Sequence, residues 1–173
     1  MNAKYIIAAV CGCVSGFLSI VLADFIGSNT LVWFPGAVFG LIFTCYAIWD
    51  TKAYKLKKLF LWVLFIALST GAYYSAVYVC SYLMNKMIID YSELRLWLVG
   101  GVAGFLGSLI LVVSIWLCSL KKPALNYSIL TILFGSVLGS LVAYDGELGV
   151  TILFVPWQTV VFVCLALMLP ETD

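Results

Sequence analysis

Histidine is absent from this chain of 173 residues, and only 10% of the residues are charged. The first absence removes the commonest zinc ligand, the commonest general base and every Ser–His or Cys–His couple. The second, with a net charge of +1, removes the basic face that a nucleic-acid binder needs. Cysteine is present six times, but Cys11, Cys13, Cys45, Cys80, Cys118 and Cys164 all lie inside apolar runs. Disulfide scaffolds space their cysteines through polar loops. Cys11 and Cys13 form C-x-C without a second pair to complete a metal site. These cysteines read as small apolar packing residues, and no metal or cofactor is expected.

What the chain has in excess is hydrocarbon. It is 65% hydrophobic with a mean hydropathy of +1.16, whereas a soluble domain is about 45–50% apolar. So short a chain has too little interior to hide that surface from water, and too much of it to remain disordered. The expectation is an all-α fold: a polytopic transmembrane bundle of six helices forming a single domain over residues 1–173. Its spans should cover about 5–23, 31–49, 59–83, 96–120, 127–144 and 150–169, each near the ~20 residues that cross a bilayer core. None shows the alternation of a membrane β-strand, which leaves helices, whose backbone is satisfied within each segment.

Nearly every charge falls between these spans, so an orientation follows. With the N-terminus inside, the inner segments hold Lys4, Lys52, Lys55, Lys57, Lys58, Lys121 and Lys122, leaving Lys86 and Arg95 outside. The outer loops carry Asp24, Asp90, Glu93, Asp145 and Glu147. The positive-inside bias therefore selects N-in/C-in, and the plasma (inner) membrane is the expected location. The first run, which ends Val21-Leu22-Ala23 before Asp24, resembles a signal peptide. Its length, and the recurrence of its glycine pattern in helix 4, favour a retained helix.

That recurrence suggests internal symmetry. Gly12-Cys13-Val14-Ser15-Gly16-Phe17-Leu18 matches Gly100-Gly101-Val102-Ala103-Gly104-Phe105-Leu106 at Gly, Val, Gly, Phe and Leu, and Gly36/Gly40 echo Gly135/Gly139. Three helices per copy would make an inverted 3+3 repeat, a recurring design in transporters. Against it, the two offsets are unequal, and G-x-x-x-G arises easily in apolar helices. The small-residue ladders themselves, Ala8-Gly12-Gly16, Gly36-Gly40, Gly100-Gly104 and Gly135-Gly139, place each set on one helical face. They suit either close packing inside the bundle or a docking face for a second subunit.

Two prolines are expected to interrupt helices 2 and 6: Pro35 in Trp33-Phe34-Pro35-Gly36 and Pro156 in Val155-Pro156-Trp157-Gln158. Each deletes a helical hydrogen bond, freeing the carbonyls of Leu31 and Ile152. Paired breaks of this kind point to membrane binding sites. Beside them stand Trp33, Trp157 and Gln158, whose amide has two donors and two acceptor sites to satisfy. Helix 3 contributes Tyr74 and Tyr78 at i, i+4. Together these residues (Trp33, Pro35, Tyr74, Tyr78, Pro156, Trp157 and Gln158) make a candidate ligand site between helices 2, 3 and 6.

No acidic or basic residue lies near the middle of a span, which disfavours ion-coupled carriers and intramembrane proteases. Glycine loops of the phosphate-binding kind are absent. The chain is therefore read as non-enzymatic: a transport component that binds a small solute or a lipid. The alternative is an accessory or assembly subunit whose glycine ladders bind a membrane-protein partner or a second copy. In size and helix count the chain is similar to the substrate-binding membrane subunits of vitamin uptake systems, which pair with a partner through small residues on their first helix. That similarity is architectural and carries no motif.

The orientation predicts that an amine reagent unable to cross the membrane labels Lys86 in sealed cells but none of Lys52, Lys55, Lys57 and Lys58. Labelling of that cluster without permeabilisation would reverse the orientation.

Overall fold

Polar backbone groups surrounded by apolar side chains must find partners, and a helix supplies them within one segment. The computed structural model describes residues 3–26, 33–51, 56–86, 92–118, 125–141 and 151–169, and every one of these stretches is helical. The helices are α1 (Ala3–Ile26), α2 (Phe34–Thr51), α3 (Leu56–Lys86), α4 (Ser92–Cys118), α5 (Leu125–Gly139) and α6 (Thr151–Leu167). α1 and α3 run past their expected spans at both ends. α5 closes at Gly139 with a tightened turn at 140–141, whereas its expected end, Tyr144, lies outside the described residues. So do Asp145, Glu147 and the lysines at 52, 55, 121 and 122.

Three segments, Ala3–Leu22, Leu59–Lys86 and Leu94–Cys118, are long and apolar enough to cross a membrane. Phe34–Trp49, Leu125–Gly139 and Phe154–Leu167 are apolar but shorter. At about 1.5 Å per residue, α5 covers roughly 22 Å, against about 30 Å for a bilayer's hydrocarbon core.

The helices stand in a closed ring. Each packs antiparallel to the next, α6 returns against α1, and α6 also touches α2 and α4. Every seam of the ring carries a side-chain hydrogen bond. Tyr46 Oη donates to Lys4 O (3.4 Å) between α2 and α1, and Ser69 Oγ donates to Gly36 O (2.8 Å) between α3 and α2. Cys118 Sγ donates to Leu61 O (3.0 Å), Ser136 Oγ to Gly101 O (2.9 Å) and Trp157 Nε1 to Gly135 O (3.0 Å). The remaining seam, α1–α6, is closed by Gln158. Three of the acceptors are glycine carbonyls. A helical carbonyl keeps a second lone pair after its own i+4 bond, and glycine leaves that lone pair uncovered.

Those glycines also set the spacing. A Cβ at Gly104 would lie 2.2 Å from Gly135 O, and one at Gly12 would lie 2.7 Å from Thr159 Cα. Gly16 meets α6 at Val155, Gly36 and Gly40 meet α3, and Gly139 meets Gly100 O and Gly104. Ala8 is fully buried beside them. All four ladders therefore pack against helices of the same chain. A partner docking on α1 would have to use its other face, lined by Val10, Val14 and Phe17.

Glycines matched in sequence do not make matched contacts. Under an inverted repeat, Gly16 facing α6 would require Gly104 to face α3, yet Gly104 packs on α5. Likewise Gly36 and Gly40 face α3, where their counterparts Gly135 and Gly139 would have to face α6. They face α4.

Aromatic rings fill one half of the interior. Phe43 sits 5.0 Å from both Phe65 and Phe162, and Phe39, Tyr46 and Trp62 complete the stack across α2, α3 and α6. The outer surface is as apolar as the core, and some polar side chains are buried. Ser15, Ser19, Ser69, Ser108, Ser114, Thr131 and Gln158 are buried, while leucines, valines and phenylalanines cover the outside.

Gly104→Ala must push α4 and α5 apart and should cost about 1–3 kcal/mol. Gly71→Ala meets nothing within 4 Å and should be neutral or slightly favourable through helix propensity. Thermal unfolding of the detergent-solubilised protein reads both. Equal midpoints for the two variants would contradict the packing.

Candidate polar site at the seam of the first and last helices

Gln158 is completely buried, on the face of α6 turned to α1. Two serines one turn apart on α1 meet it. Ser15 Oγ donates to Gln158 Oε1, Gln158 Nε2 donates to Ser19 Oγ (3.1 Å), and Ser19 Oγ donates to Ser15 O (2.8 Å). Gly12 and Gly16 flank this chain of bonds and bring the helices close enough for the short serine side chains to reach. Ser15 and Ser19 are the residues of this cluster that sequence reasoning passed over. The i, i+4 repeat of hydroxyls beside a glycine ladder was the available signal.

Tyr73 enters from α3. It is 7% exposed, and its hydroxyl lies beside Gln158 without a hydrogen bond of acceptable geometry to any described residue. Its ring is stacked on Phe154 (6.0 Å, 11°) and meets Trp157 edge-on (5.4 Å, 83°). The Trp157 indole therefore stands between Tyr73 and Phe39 on one side and the Gly135 carbonyl on the other. Ser108, completely buried on α4 against Gly135, is a second hydroxyl without a partner.

Of the residues expected to line a site between helices 2, 3 and 6, the structure brings together Trp157 and Gln158, with Pro156 adjoining them in α6. Tyr74 and Tyr78 lie on the outer surface of α3, 54% and 62% exposed, while their neighbour Tyr73 points inward. Trp33 is 45% exposed at the start of α2, edge-on to Phe34.

The two prolines are not equivalent, and the expectation of paired breaks is corrected. α2 begins at Phe34, and Ala37 N donates to Trp33 O (3.3 Å) as its first turn closes. Pro35 thus occupies the first turn, where no N–H is required, so it starts the helix instead of breaking it. Leu31 lies outside the described residues. Pro156 is internal to α6, and its missing N–H leaves the Ile152 carbonyl without its usual donor.

The polar site carries no formal charge on its described side chains. Its chemistry is that of neutral donors and acceptors. Among the described residues, no group of three or more Cys, Asp or Glu is placed to hold a metal ion. The chain matches no protein-family model, no curated protein and no solved structure. The functional reading therefore rests on the chemistry of this site.

Ser15→Ala and Gln158→Leu should couple. Interhelical hydrogen bonds average about 0.6 kcal/mol and reach about 1.7, so a double-mutant cycle in thermal or denaturant unfolding should give a coupling in that range. Strict additivity would mean that the Ser15–Gln158 bond does not hold the seam.

Proposed function

We propose that the chain is a non-enzymatic integral membrane protein of the plasma (inner) membrane, crossing it six times with both termini inside. In this reading it serves as a transport component that takes up a small solute at the Gln158 cluster. Three helices of spanning length and an apolar exterior support the membrane setting. The lysine asymmetry of the connections supports the orientation.

The observation that carries solute binding is the pairing of a completely buried amide with an unpartnered buried hydroxyl, Gln158 beside Tyr73. An orphaned buried hydroxyl costs about 1–3 kcal/mol, a cost that a bound guest would remove. The proposed site thus moves inward from the one first expected, with Tyr73 taking the place of Tyr74 and Tyr78.

The reading as an accessory subunit keeps one observation in its favour. Tyr74, Tyr78 and Tyr82 present their phenols outward along one face of α3, the first of them near the middle of its apolar segment. Phenols in membrane proteins belong at the interfaces.

Native mass spectrometry after extraction into lipid discs separates the two readings. A stoichiometric small molecule in the wild type, lost in Gln158→Leu, is the expected result. A stoichiometric protein partner with no small molecule would replace solute binding with the accessory role.

A further inference from the structure

We infer that a second copy of this chain covers the outward face of α3, the two copies lying side by side about a two-fold axis along the membrane normal. The inference rests on the membrane setting proposed above and is independent of solute binding. The place where the exterior turns polar carries it. Among the described residues, the exposed hydroxyl and amide side chains are Tyr74, Tyr78, Ser81, Tyr82 and Asn85, all on α3, and Asn126 at the start of α5. Measured along the helix from the middle of Leu59–Lys86, Tyr74 lies about 2 Å out and Tyr78 about 8 Å. Half of a bilayer's hydrocarbon core is about 15 Å, so both phenols face hydrocarbon. Neither hydroxyl has a hydrogen-bond partner among the described residues, and lipid tails supply none.

Spacing identifies the body that would cover them. Ala67, Gly71, Tyr74, Tyr78, Ser81 and Asn85 are all exposed and follow one another in alternating steps of four and three. That is the seam of a left-handed helix pair, whose contacts recur about every 3.5 residues. Ala67 and Gly71 keep the strip low, and a Cβ at Gly71 would meet nothing within 4 Å, so a second helix can lie along it. In a parallel pair about a two-fold axis, each seam residue meets its own copy at the same depth. Tyrosine, serine and asparagine side chains both donate and accept, so Tyr74, Tyr78, Ser81 and Asn85 are each their own complement. Lys86 stands off the seam at the water boundary, where like charge is screened. A different protein would have to offer matching groups at every one of these depths. A second copy does so by symmetry.

The test uses the full chain with its six native cysteines replaced, reconstituted in phosphatidylcholine vesicles and briefly oxidised over a series of lipid dilutions. Ala67→Cys should give a disulfide-linked dimer, whereas Val137→Cys, exposed on α5, should not. Adding Tyr74→Phe and Tyr78→Phe removes two hydroxyls from the exterior and nothing from the core, so the variant should fold. It should shift the dilution at which half of the Ala67→Cys protein is linked roughly tenfold toward higher protein density, about threefold for each bond.

Equal linking at both positions, no linking at Ala67→Cys, or an unmoved midpoint with both phenylalanines would overturn the pairing. Linkage of Ala67→Cys to a different protein instead of a second copy, in membranes of expressing cells, would overturn it too. Release of the wild type from those membranes by alkaline carbonate would overturn the membrane reading itself. Retention there, with no dimer in vesicles, would overturn the pairing alone.

Discussion

Close approach of helix backbones is the constraint from which the rest of the structure follows. Where Gly104 faces Gly135, and Gly12 faces Thr159, no space exists for even a methyl group. That proximity has two consequences. It supplies dispersion contacts along the length of each seam, and it brings short hydroxyl side chains within reach of carbonyls on the neighbouring helix. Ser136 on Gly101 and Ser69 on Gly36 are the plainest cases. A longer donor on a wider seam would leave more of its chain to be ordered and gain no stronger a bond.

The α1–α6 seam gathers its bonds on one buried amide. There the principal bonds join side chain to side chain. A bond to a backbone carbonyl needs no particular side-chain polar group on the accepting residue. A bond between Gln158 and Ser15 requires both residues. The same positions that close the ring therefore also make a concentrated polar feature, and the Tyr73 hydroxyl falls beside it. Structure and proposed recognition share their residues at this point.

Much of the architecture was legible from the run lengths alone, because a segment of apolar residues bounded by charges permits few alternatives to a helix. The facing of each helix was not legible. In a soluble protein, polar residues mark the outside. Here the outer surface, with Val10, Val14 and Phe17 on α1, is as apolar as the core, so periodicity has nothing to contrast. Hence Tyr74 and Tyr78 were read as lining, when Tyr73, one residue earlier, is the tyrosine that turns inward. A finer signal did exist: Ser69, Ala72, Tyr73 and Ala76 share a face at spacings of three and four, on the side that Ser69 uses to reach Gly36. Pro35 was misplaced for a related reason. A proline near the boundary of an apolar run marks the start of a helix as readily as a break within one, and hydropathy runs on through the turn that separates the two cases.

Closure of the ring by its first and last helices is the claim on which the site depends, and cross-linking tests it directly. With the six native cysteines replaced, Ser15→Cys and Gln158→Cys are introduced together, treated with a short bifunctional thiol reagent, and the chain is then cut between α3 and α4. The two halves should migrate as one band, whereas either single cysteine should give two. Complete separation of the halves in the doubly substituted protein would contradict the ring and, with it, the site at its seam.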